Sequence, residues 1–112
     1  MLRYLLILAV ATLSPSARSQ TAIEMYQWCN STADIQKSYC IGYLSGSLDA
    51  YGISKFVTKS ERLICLPEGG LNNEQALLIF SKAVRDEPKD AGETARVFFY
   101  RALNKAFPCA RS

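Results

Sequence analysis

A chain of 112 residues has room for one small domain, and its 13 Lys and Arg against 10 Asp and Glu leave a net charge of only +3. The basic residues form no run, so nothing in the charge pattern builds a nucleic-acid surface. The sequence contains no histidine, which removes the commonest general base and the commonest metal ligand together.

Residues 1–19 read as a removable export leader. Arg3 supplies the positive start, and Tyr4 to Leu13 is an apolar stretch of about ten residues, too short to span a bilayer. Ser14-Pro15-Ser16 breaks it, and Ala17-Arg18-Ser19 offers the small residues of a cleavage site, so cleavage is expected before Gln20. The cleaved chain would keep no stable membrane anchor, and no cysteine at the cut is placed to carry a lipid. The mature domain is then 20–112, about 93 residues. It loses Arg3 and Arg18 and becomes nearly neutral.

The periodicity after the leader is helical throughout. Thr21-Ala22-Ile23-Glu24 is a capping box, opening a short helix with Ala22, Met25, Tyr26 and Cys29 on its apolar stripe. Asn30-Ser31-Thr32 ends it. A second helix is expected from Asp34 to about Ile53, with Tyr39, Tyr43, Leu44, Leu48 and Tyr51 along one side. Gly42, Gly46 and Ala50 make its other face nearly bare. Each glycine costs a helix about 1 kcal/mol relative to alanine, so a closely packed second helix is expected there. An intramolecular partner is favoured over a dimer interface. Asp49 lies within this helix and is expected to take a neighbouring donor or pair with Arg96 or Arg101.

Lys55 to Ile64 reads as a connector with one helical turn, and Cys65 to Gly70 as a turn-rich loop. Asn72 and Gln75 form a cap pair for a third helix that buries Leu77, Phe80 and Val84. Pro88 separates it from a fourth. Asp90 and Glu93 are expected to cap that last helix, with Ala91, Ala95, Phe98 or Phe99, Ala102 and Ala106 at helical spacing until Pro108. No strand of period two is found. The expected fold is therefore all-α, a small disulfide-stapled bundle of about four helices.

Cys29, Cys40, Cys65 and Cys109 are an even number in a short exported chain, which reads as two disulfides. Without a C-x-x-C pair or a histidine they make a poor zinc site. In such a loop framework each bridge contributes roughly 3 to 5 kcal/mol. Three pairings are open from sequence. The expected one is Cys40–Cys65, folding the connector back along the second helix, with Cys29–Cys109 tying the first helix to the chain end.

Catalysis finds little to stand on. Activation of a serine or cysteine normally borrows a histidine, and the acidic residues fall mostly at caps or beside basic neighbours. The chain is read as a non-enzyme without metal or cofactor. Pro67, Glu68, Gly69 and Gly70, pinned at Cys65, are the best local candidates for a partner-binding surface.

Four motifs then stand in order: Tyr39-Cys40-Ile41-Gly42-Tyr43-Leu44-Ser45-Gly46, Asp49-Ala50, Cys65-Leu66-Pro67-Glu68-Gly69, and Ala102-Leu103 with Ala106-Phe107-Pro108-Cys109. Together they resemble the Rap/Tai family of type VI secretion immunity proteins, over about residues 26 to 109. The resemblance implies a helical, commonly dimeric periplasmic protein. Its partner would be a peptidoglycan amidase effector of the NlpC/P60 type, inhibited by occlusion of a cysteine–histidine site, which protects the cell from intoxication by itself and its siblings. The competing reading is a general periplasmic binding protein resembling the small acid-stress chaperones. It would show acid-triggered holdase activity, set by carboxylates because no histidine is present.

Overall fold

The computed structural model describes residues 19–58 and 64–109, with backbone alone over 53–58. Most of the expected leader, including its apolar stretch, and the later part of the expected connector lie outside the described residues. Four helices follow one another: α1 (Ala22–Cys29), α2 (Asp34–Thr58), α3 (Asn73–Asp86) and α4 (Ala95–Ala106), with a short 3₁₀ turn (Pro88–Asp90) before α4. The described residues contain two isolated β-bridges, Thr21 with Thr94 and Ile64 with Pro108, and no longer ladder. The all-α expectation holds.

Local chemistry explains the first and third helix starts. The Glu24 N–H donates to Thr21 Oγ1 at 3.3 Å, and the Thr21 hydroxyl donates to Glu24 Oε1 at 3.1 Å. At α3 the box is fully reciprocal: Gln75 N–H to Asn72 Oδ1 at 2.8 Å and Asn72 N–H to Gln75 Oε1 at 3.0 Å.

The start of α4 differs from expectation. Its N-cap is Thr94, which makes no side-chain cap bond. Backbone does the work instead: Ala95 N–H donates to Gln20 O at 2.9 Å, while Ala22 and Ile23 N–H donate to Glu93 O and Ala91 O at 2.8 and 2.9 Å. The segment before α1 and the segment before α4 thus satisfy each other's free helix-end groups. Asp90 lies in the 3₁₀ turn, and the Glu93 carboxylate pairs with Arg101.

The core gathers one face from each helix. Ala22, Met25 and Cys29 come from α1, Cys40 and Leu44 from α2, Ala76, Phe80 and Val84 from α3, and Ala95, Phe98, Phe99 and Leu103 from α4. Phe98 and Phe99 are both buried, so neither displaces the other, whereas Ala106 is exposed. Tyr39 leaves the buried line expected for it and is 49% exposed. The core register of α2 runs through Cys40, Leu44 and Tyr51, and Tyr39 points off it.

Tyr51 links α2 to α4. Its hydroxyl donates to the Arg96 carbonyl, and its ring meets Tyr100 edge-on with centroids 5.1 Å apart at 81°. Burial pushes the Tyr51 phenol up to about 12. The folded value therefore lies above the unfolded one, so this contribution to stability is complete below pH ~10 and is lost as the pH climbs toward 12. Thermal melts between pH 9 and about pH 11.5 should show wild type losing more stability than Tyr51→Phe. Parallel pH curves would remove Tyr51 as the cause.

Both disulfides form, in a different pairing from the expected one. Cys29 bonds to Cys40 and Cys65 to Cys109, with Cα separations of 5.1 and 4.9 Å. Cys29 ends α1 and Cys40 lies in the second turn of α2, so the first bridge staples a helical hairpin. The turn between them is fixed by Ser31, whose Oγ accepts from Ala33 N–H at 3.1 Å and donates to Gln36 Oε1 at 2.6 Å. The expected Cys40–Cys65 bridge fails because α2 does not stop at Ile53. It runs on to Thr58, about 27 Å beyond Cys40 at helical rise. Cys65 instead lies beside the end of α4, where its N–H donates to Phe107 O at 2.8 Å.

Candidate functional site

The loop expected to make contact is built as a presented turn. Gly70 N–H donates to Pro67 O at 2.9 Å, closing a β-turn over Pro67-Glu68-Gly69-Gly70. Gly69 and Gly70 have φ of +86° and +76°, a region that glycine enters without the Cβ penalty. A glycine third in such a turn is the type II requirement. All four residues are exposed.

The turn is held at both ends. Before it stand the Cys65–Cys109 disulfide, the Cys65 N–H bond to Phe107 and the Ile64–Pro108 bridge. After it stands the Asn72–Gln75 capping box. Glu68 is the only charge at the tip.

Beside the stem of this turn, α3 and α4 enclose an open cleft of about 660 Å³. Ile79, Ala83, Phe98 and Ala102 give it an apolar floor, and it reaches Ala106, next to Phe107. Its rim is charged but internally matched. Lys82 Nζ meets Asp86 Oδ2 at 2.6 Å and Lys105 Nζ meets Glu87 Oε1 at 3.0 Å. The Lys82 hydrogen bond holds the Asp86 carboxyl below its ordinary value, and Glu87 raises Lys105. Exposed pairs of this kind add little stability. The cleft was not foreseen, although the small residues Ala83, Ala102 and Ala106 mark where two helices leave space.

The four residues expected to pack a helix behave otherwise. Gly42, Gly46, Asp49 and Ala50 are exposed. A Cβ built at Gly42 or Gly46 meets nothing within 4 Å, so the favoured intramolecular packing is not made among the described residues. Asp49 does not pair with Arg96 or Arg101. Arg101 is taken by Glu93, with Asp90 at 4.0 Å.

All four cysteines are bound in disulfides, and no group of three or more metal-ligating side chains gathers among the described residues. What the structure offers is surface: a rigid exposed turn beside an apolar cleft.

The sequence model of the Rap1a immunity proteins matches residues 21–109, from the α1 cap to the last cysteine. The chain belongs to the family of Rap1a immunity proteins. The matched span contains all four helices and both disulfides, so the family's domain and the described fold coincide. Membership in the Rap1a family makes this an immunity protein, whose work is to bind a cognate secreted effector. No curated protein and no solved structure gives a significant match.

Proposed function

We propose that this protein acts in the periplasm, after export by the leader at 1–19, as the inhibitor of a type VI secretion effector that degrades peptidoglycan. The effector is an amidase of the NlpC/P60 type, and inhibition is by occlusion of its active site. The observation that carries this reading is the Rap1a family match over 21–109. It is supported by two disulfides, which persist in oxidising compartments. The Pro67-Glu68-Gly69-Gly70 turn is the contact surface. It is an exposed turn held between the Cys65–Cys109 disulfide and the Asn72–Gln75 capping box, and a preorganised loop loses little freedom on binding.

The test is inhibition of the amidase encoded beside this gene by the mature, oxidised protein, measured as release of cleaved muropeptides. Stoichiometric inhibition is the expected result. Gly69→Val forces a branched side chain into positive φ, at about 1–2 kcal/mol, and should weaken inhibition about tenfold without unfolding the helices. Glu68→Lys changes only the charge at the tip and should weaken it as well. Full inhibition by both variants would move the contact surface elsewhere. Absence of binding by wild type to any adjacent effector would count against the amidase assignment.

A further inference from the structure

The two disulfides are divided between the core and the surface. Cys29 and Cys40 are buried among the core side chains of α1 and α2. Cys65 and Cys109 take no part in that core, for Cys65 is exposed and Cys109 half-buried. Their bond joins the stem of the Pro67–Gly70 turn to the residues that follow α4. From 64 to 72 no side chain is fully buried, and Cys65 to Gly70 are exposed without a break. Only Ile64 and Leu71, one at each end, lean on the core. The stem's other ties are one hydrogen bond, Cys65 N–H to Phe107 O at 2.8 Å, and the Ile64–Pro108 bridge. The Asn72–Gln75 box fixes the far end of the turn to α3 but does not reach the stem. Exposed backbone bonds and few buried contacts mark a segment that opens locally at low cost. The covalent bond is therefore what keeps the turn in its presented position.

That bond is also the one a thiol can reach. Attack by a dithiol reductant falls first on exposed Cys65. The attacking thiolate forms a mixed disulfide with Cys65 and displaces Cys109 as a thiolate, which takes a proton. The reductant's second thiol then closes on its first sulfur, and Cys65 leaves with a proton as a thiol. Two electrons pass to the protein, and the dithiol departs as a disulfide. The helices keep the Cys29–Cys40 staple and every buried side chain of the core, so the loss falls on the turn and the chain end. A turn that has to be ordered again on binding loses affinity by the cost of that ordering. On the reading that the turn is the effector contact, we infer that the Cys65–Cys109 disulfide is a redox latch: closed, it presents Pro67–Gly70 for inhibition, and opened by a dithiol it switches inhibition off while the helical core stays folded. The chain then inhibits where Cys65 and Cys109 are oxidised and is silent where thiol reductants keep them apart.

The test compares oxidised protein, protein whose Cys65–Cys109 bond has been opened by dithiothreitol, and Cys65→Ser with Cys109→Ser, which needs no reductant. Amide hydrogen exchange requires no effector and reports on the latch itself. Opening the bond should speed exchange of the Cys65 and Gly70 N–H groups at least roughly tenfold, while the core amides of α1, α3 and α4 stay protected. Inhibition of the amidase encoded beside this gene is measured after the dithiol is removed without oxygen. It should weaken at least roughly tenfold in both opened forms, and reoxidation should restore it in the wild type alone. Turn exchange that is the same with the bond open or closed would overturn the inference. So would equal inhibition by oxidised and opened protein, or loss of the helical spectrum on opening. Oxidised protein that binds no effector overturns the reading of the turn's partner instead, and exchange at Cys65 and Gly70 then decides by itself whether the bond latches the turn.

Discussion

Replacing Phe80 by alanine is expected to cost about 3–5 kcal/mol of folding stability, the largest loss for any single side chain outside the cysteines. Phe80 is fully buried and stands edge-on to both Phe98 and Phe99, with centroids 5.9 Å away in each case. One ring of α3 therefore docks against two consecutive rings of α4. Edge-to-face pairs add about 0.5–1.5 kcal/mol each beyond the area they bury, and truncation removes both. Against a total of about 5–15 kcal/mol for a domain, that loss is a large share of the stability. Urea unfolding of Phe80→Ala and Phe80→Leu checks this, and a loss below about 1 kcal/mol for alanine would show that the core does not depend on this contact.

The second large effect concerns the disulfides, which should differ in how they fail. Chain entropy assigns about 4 kcal/mol to Cys65–Cys109, with its sequence separation of 44, and about 3 kcal/mol to Cys29–Cys40, with its separation of 11. Accessibility runs the other way. Cys29 and Cys40 are 2% and 0% exposed and belong to the core, whereas Cys65 is exposed. Exchange needs a thiolate to reach a sulfur, so mild reductant should open Cys65–Cys109 first and leave the α1–α2 hairpin stapled. Differential alkylation followed by mass spectrometry reads the order directly. Cys29–Cys40 opening first would contradict the burial argument. Cys65→Ser with Cys109→Ser should lower stability by about 4 kcal/mol while retaining the helical spectrum.

How much of this the sequence could carry depended on the distance over which each signal acts. The caps at Thr21–Glu24 and Asn72–Gln75 were legible because each is closed within four residues. Spacing alone gave Ala22, Met25 and Cys29 on α1 and Phe80 and Val84 on α3, whereas Tyr26 and Leu77 are only half-buried and Ala76 and Ser81 take buried places not expected for them. The start of α4 was misread because its caps are carbonyls from before α1, and no local pattern at Asp90 or Glu93 reveals that. The disulfide pairing turned on where α2 ends, and the weak periodicity from Lys55 onward did not mark its extension to Thr58. Gly42 and Gly46 announced a bare face, but the helix expected to cover it is not found among the described residues. The Pro67–Gly70 segment was legible as a turn-rich loop from its proline and paired glycines, and Gly69 and Gly70 are the residues that its positive φ values suit.

The Cys65–Cys109 bond also changes what a break in the chain would mean. Together with the backbone it closes a covalent ring that contains the exposed turn, α3 and α4. The exposed turn at Pro67–Gly70 is a place where a protease can reach the chain, and also a place where cutting separates nothing. A nick there linearises the ring and leaves α1 and α2 tethered to α3 and α4 through one sulfur–sulfur bond. The nicked protein would run as a single species until reduced and then as two fragments. A partner that covers the turn would be read out as protection from that cut.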